Sequence, residues 1–146
     1  MVGIVIATHG AIGQALLETA TDLVGYSAPN VVAVSIDADV DRATGWSALL
    51  GAVEAVETET GVLILVDMFG GTASTLALSI LADRNVEVLT GVNLAMVLRT
   101  ILQREGKDLT VLAENVLAYG QRNVTSSAQW LTPTNTHPNP TPARLS

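Results

Sequence analysis

Along this chain, short blocks of nearly unbroken apolar residues alternate with longer stretches in which apolar positions recur every three or four residues. The blocks cover residues 2–7, 31–36, 62–66 and 86–89 and are rich in Val, Ile and Leu. Such blocks lack inside/outside alternation, so they predict strands buried on both faces. Between them lie helical patterns. Residues 11–24 place Ile12, Leu16, Ala20 and Leu23 on one face, and Gly25 closes the segment. Trp46, Leu49, Leu50, Val53 and Val56 form the next stripe, with Arg42, Ser47, Glu54 and Glu57 turned to water. A short helix after the loop at 68–72 carries Leu76, Ala77, Ile80 and Leu81. Two further stripes follow, Leu94, Val97, Leu98, Ile101 and Leu102, then Leu109, Leu112, Ala113, Val116 and Leu117.

Strands alternating with helices over short connections predict a doubly wound α/β domain, because each crossover must be right-handed. The expected sheet has four mainly parallel strands in the order 2-1-3-4, with helices on both faces. The domain is expected to span residues 1–127. Beyond Gly120 the pattern fades, and residues 128–146, with Pro133, Pro138, Pro140 and Pro142 among Thr and Asn, read as an extended tail. No internal repeat is visible.

Composition narrows the class. Hydrophobic residues reach 49% and charged residues only 14%, which suits a sheet covered on both faces and points to apolar surface buried in an oligomer. A net charge of −7 argues against nucleic-acid binding, which needs clustered Lys and Arg. No cysteine is present, which fits a cytoplasmic protein. With His9 and the tail's His137 as the only histidines, no zinc set can be assembled. No signal peptide is apparent at the start, and no apolar run approaches the roughly 18 residues a membrane span needs.

Two strand-to-helix turns carry candidate chemistry. Thr8-His9-Gly10 follows the first strand and Asp67-Met68-Phe69-Gly70-Gly71-Thr72 the third. In the order 2-1-3-4 these strands are neighbours whose carboxyl ends flank the switch-point crevice, where ligands of open α/β sheets collect. His9 and Asp67 are therefore expected to face each other. A carboxylate on one imidazole nitrogen fixes the tautomer and frees the other nitrogen as a nucleophile or base. Gly70-Gly71 allows backbone N–H groups to turn inward as an anion nest, Thr72 adds a hydroxyl, and the helix after Gly10 presents its amino end. The pieces describe a histidine that accepts a phosphoryl group, with Thr8, Gly10, Gly70, Gly71 and Thr72 around it.

Thr8-His9-Gly10, Leu65-Val66-Asp67-Met68-Phe69-Gly70-Gly71-Thr72 and Gly91-Val92-Asn93, in order and in register from residue 1 to about 120, resemble the signature segments of the IIA domain of the mannose-type sugar phosphotransferase system. The resemblance implies that His9 accepts phosphate on Nε2 from the carrier HPr or a paralogue and passes it to a IIB protein. Asp67 would hold Nδ1, and Gly71 and Thr72 the phosphoryl oxygens. It also implies a homodimer in which a late strand, near residues 123–127, crosses to the partner's sheet as an antiparallel edge. No cofactor is implied, and membrane association only through a permease complex. The family's prolines after the Gly-Gly-Thr and after the Asn are here Ala73 and Ala95, and no IIB sequence follows.

Blander readings stand beside these. Asp67 can cap its own turn, and Asn93 reads as a helix N-cap. Asp37, Asp39 and Asp41 mimic a calcium loop, but Arg42 and Ala48 stand where Gly and Glu are required, so they read as a solvated helix entrance. Three rival functions share a strand that leads into a histidine turn of this kind. One is the phosphocarrier subunit of a dihydroxyacetone kinase system, whose second segment lacks the Gly-Gly-Thr loop. Another is a histidine phosphatase, which needs Arg where Thr8 stands. The third is a regulatory module switched by phosphorylation of His9, favoured by the missing IIB sequence.

Overall fold

A computed structural model describes residues 1–131 of the chain. The part of the expected tail from residue 132 onward lies outside the described residues. In chain order the elements are β1 (Gly3–Thr8), α1 (Ile12–Val24), β2 (Val31–Ser35), α2 (Arg42–Val56), β3 (Val62–Val66), α3 (Thr72–Ile80), β4 (Val86–Thr90), α4 (Leu94–Gln103), α5 (Leu109–Arg122) and α6 (Ser127–Trp130). The sheet order is β2-β1-β3-β4 and every pairing is parallel, as the sequence pattern predicts. Ile6 sits between Ala33 of β2 and Leu65 of β3.

Alternate residues of the strands serve opposite cores. Ile4, Ile6, Leu63 and Leu65 pack with α1, α4 and α5, whereas Val5, Ala7, Ile64 and Val66 pack with α2 and α3. Both faces are covered, so β1 and β3 are buried at every position, which explains their unbroken apolar runs. Truncating Ile64 or Leu65 to alanine at such a site costs about 2–5 kcal/mol. The two faces also separate α1 from α3, which places the switch point between β1 and β3.

Three expectations are corrected. The inward stripe of α1 holds at Leu16 and Ala20 but is rotated at its ends: Ile12 and Leu23 are 49% and 42% exposed, and Gly13 is buried instead. Gly13 lies so close to β1 that an added Cβ would sit 3.1 Å from the Ile6 carbonyl oxygen. Small size, not hydropathy, decides that contact. Leu81, counted into the inward face of α3, is its exposed C-cap. Third, residues 123–127 form no strand. The chain passes from the α5 C-cap Asn123 into α6, with the Ser126 N–H donating to Gln129 Oε1 at 3.2 Å. α6 also occupies the first positions assigned to the tail. Among the described residues the sheet has four strands and no antiparallel edge.

At the opposite end of the sheet from the strand carboxyl ends, Arg104 closes α4 and is 2% exposed. Its guanidinium donates to the carbonyls of Val2 at 3.1 Å and Asn30 at 3.2 Å, and to that of Pro29. Burial pushes its pKa down, partly offset by Tyr26. Among the described residues no helix is long and apolar enough to cross a membrane.

Candidate functional site

β1 and β3 end side by side, and their turns leave toward opposite faces, α1 with one core and α3 with the other. The crevice between them receives His9 from the first turn and Asp67 from the second. A single carboxylate oxygen, Asp67 Oδ2, accepts from the His9 backbone N–H at 3.0 Å and lies 2.8 Å from His9 Nδ1. Asp67 Oδ1 accepts from the Met68 N–H at 3.1 Å. The ionised carboxylate is an acceptor only, so it assigns the ring proton to Nδ1 and leaves the Nε2 lone pair free. Partial burial pushes the Asp67 carboxyl up. The hydrogen bonds from the His9 ring and N–H, with the ring's charge, outweigh that and hold it below the usual carboxylate range. The His9 side chain stays 27% exposed, open to a large partner.

The β3–α3 turn closes over the ring. Gly70 has φ +81, a left-handed conformation that favours glycine. Gly71 is required for space: a Cβ there would lie 2.8 Å from His9 Cε1 and 3.5 Å from Nε2. The hydroxyls of Ser74 and Thr75 donate to the Gly71 carbonyl at 2.9 and 3.1 Å and fix the turn. Gly71 is the N-cap of α3 and offers no capping side chain, so the N–H groups of Thr72, Ala73 and Ser74 have no acceptor among the described residues. The Thr72 hydroxyl is likewise unengaged. The amino end of α1 differs: its N-cap Ala11 has no capping side chain, but the Gly13 N–H donates to the Thr8 hydroxyl and the Ile12 N–H to the His9 carbonyl. An anion beside Nε2 meets the open amino end of α3.

The structure brings His9, Asp67, Gly70, Gly71 and Thr72 together, with Gly10 exposed at the start of α1. Thr8 does not join them. It is fully buried, and its hydroxyl accepts from the Gly13 N–H at 2.7 Å and donates to the His9 carbonyl at 3.3 Å, so it faces the helix rather than the open crevice. Asn93 is an N-cap, its Oδ1 accepting from the Met96 N–H at 3.0 Å. Asp41 caps α2 in the same way through Thr44. Both helices beginning near Ala73 and Ala95 form without proline.

Two features of the site were not singled out from sequence. Gly13, inside a helix, carried no pattern signal. Met68 and Phe69 are 54% and 75% exposed on the loop between Asp67 and Gly70. Two large apolar side chains inside a polar-looking turn are the signal that marks them.

The chain is similar to known proteins over this whole region. The family described as PTS system fructose IIA component matches residues 3–117. A PTS system fructose-specific EIIA component of Bacillus subtilis (strain 168) is 32% identical over 124 residues, 84% of each chain. The PTS system mannose-specific EIIAB component of Escherichia coli (strain K12) is 33% identical over 105 residues, 71% of this chain, and this chain spans 32% of that protein's length. Among solved structures, the EIIA component from Streptococcus agalactiae superposes with a TM-score of 0.76 at 25% identity, covering 88% of this chain and 99% of that one. The mannose/sorbose-specific IIA subunit from Enterococcus faecalis gives a TM-score of 0.74 at 25% identity, covering 86% and 93%.

Proposed function

The chain belongs to the fructose/mannose-type IIA family of the sugar phosphotransferase system, and from that premise we propose that His9 is a phosphoryl carrier, loaded by an HPr-type phosphocarrier and discharged to a IIB protein. The single observation that carries this reading is the 2.8 Å contact between His9 Nδ1 and Asp67 Oδ2, which leaves Nε2 free beside Gly71. Family members are phosphotransferases; the phosphohistidine on His9 is the specific step argued here.

In that step the Nε2 lone pair attacks the phosphorus held on the donor's phosphohistidine. The N–P bond of the donor breaks as the new one forms, and its electron pair returns to the donor ring. His9 keeps its Nδ1 proton, so the product ring is cationic, and the Asp67 carboxylate stabilises that charge. The phosphoryl oxygens meet the Thr72 hydroxyl and the free N–H groups at the start of α3. Positioning and charge stabilisation are the whole of the protein's task in a transfer of this kind.

Exposed Met68 and Phe69, on the loop between Asp67 and Gly70, form the apolar contact for a protein partner. The reading includes a cytoplasmic homodimer and a IIB partner. The test is intact-protein mass spectrometry after incubation with phosphoenolpyruvate, enzyme I and HPr, for wild type and His9→Ala. The expected result is one acid-labile phosphate on wild type and none on the variant. A folded wild type that stays unmodified with its cognate carrier supplied overturns the reading. Transfer from the loaded protein to a dihydroxyacetone kinase subunit, and to no IIB protein, would replace the acceptor.

A further inference from the structure

We infer that Thr8 is a positioning residue for His9, acting through the first turn of α1, an inference that rests on the phosphoryl-carrier reading for its rate effects. The argument begins with a helix that lacks its own cap. The N-cap of α1 is Ala11, which has no side-chain acceptor for the orphan N–H groups of the first turn. Thr8 supplies one from behind, from the last position of β1, by accepting the Gly13 N–H at 2.7 Å. A hydroxyl that accepts can also donate, and this one donates to the His9 carbonyl at 3.3 Å.

His9 is thus held on both sides of its backbone. Its N–H goes to Asp67 Oδ2 at 3.0 Å, and its carbonyl receives the Thr8 hydroxyl at 3.3 Å and the Ile12 N–H at 3.4 Å. Asp67 Oδ2 receives both the N–H and Nδ1 of one residue, and only a narrow range of His9 backbone and side-chain angles brings both groups to one oxygen. Thr8 fixes the carbonyl half of that geometry. It does so with a buried hydroxyl that has no room to rotate elsewhere: Thr8 is fully buried, and an added Cβ on Gly13 would lie 3.0 Å from Thr8 Oγ1. The residue touches no reacting atom. It sets where Nε2 points and keeps the helix start clear of any side chain in front of it.

The test compares wild type, Thr8→Val and Thr8→Ser in two readouts. Imidazole nitrogen NMR of the unphosphorylated protein reports the His9 tautomer; the donor assay reports kcat and KM. Thr8→Val is expected to lower the Nδ1-protonated fraction and to reduce kcat by about tenfold to a hundredfold with KM for the donor unchanged. Thr8→Ser is expected to restore both. A cap with no positioning role would lower the melting temperature of Thr8→Val and leave tautomer and kcat as in wild type, and that result overturns the inference. Should Thr8→Val not fold, Gly13→Ala keeps both hydrogen-bonding groups but crowds the hydroxyl, and must shift the same two readouts. Absence of phosphate on wild type removes the carrier reading, whereas the tautomer comparison still decides the role of Thr8.

Discussion

The β1–α1 turn and the β4–α4 turn are built on the same plan, strand, glycine, helix, and differ in who caps the helix. In the second, Asn93 sits at the N-cap and its side chain accepts the Met96 N–H. Asp41 and Asp108 do the same for α2 and α5. In the first, the N-cap is Ala11, and α3, on the other side of the crevice, starts at Gly71. Both helices that begin at the candidate site lack the Asp or Asn N-cap that α2, α4 and α5 carry. A carboxylate or amide there would occupy the N–H groups an anion needs, and a carboxylate would also repel it. At α3 this leaves the first-turn N–H groups open, whereas at α1 Thr8 takes the Gly13 N–H from behind.

Four substitutions break or sharpen this contrast. Asp67→Asn should have the largest effect, lowering phosphoryl transfer by on the order of a hundredfold or more in the donor assay, because an amide cannot hold the Nδ1 proton as a carboxylate does. The same variant tests linkage. The Asp67 pKa is lowered in the folded protein, so its contribution to stability is full above the ordinary carboxylate range and lost as pH falls through the lower native value. The stability gap between wild type and Asp67→Asn, from denaturant titrations at several pH values, should narrow on acidification. Next, Gly71→Ala drives a Cβ against the His9 ring and should slow transfer by about a hundredfold, with the circular dichroism spectrum of the folded protein retained.

Ala11→Asp transplants the ordinary cap into the site. It should leave stability near that of wild type in thermal unfolding, because Thr8 already takes the Gly13 N–H, while lowering transfer roughly tenfold. The smallest functional effect belongs to the reverse change: Asn93→Ala should cost about 1 kcal/mol of stability and leave transfer at His9 within about twofold. Equal losses of transfer in Asn93→Ala and Ala11→Asp would erase the distinction between the two kinds of turn.

The apolar blocks and stripes made the fold legible, because burial on both faces of β1 and β3 leaves no other pattern for those residues. The facing of His9 and Asp67 was legible from strand order alone. Three things were not. The rotation of α1 depends on Gly13, a residue with no hydropathy to read. Thr8 sits in a motif beside His9, yet whether its hydroxyl faces the crevice or the helix is set by the distance of Gly13 from β1, a tertiary quantity. Residues 123–127 were expected, through family resemblance, as a strand on a partner's sheet, and within the single chain Ser126 and Gln129 pair at the start of α6.

The buried Arg104 has a kinetic meaning. Its guanidinium joins backbone carbonyls at residues 2, 29 and 30 to the end of α4, a closure across 102 positions of sequence for Val2. Such a contact exists only after β1, β2 and α4 have all docked, so it falls late on the folding route. Interactions formed after the transition state govern how fast a protein opens rather than how fast it closes. Arg104 is then expected to slow unfolding from the end of the sheet farthest from the candidate site, apart from the chemistry at His9.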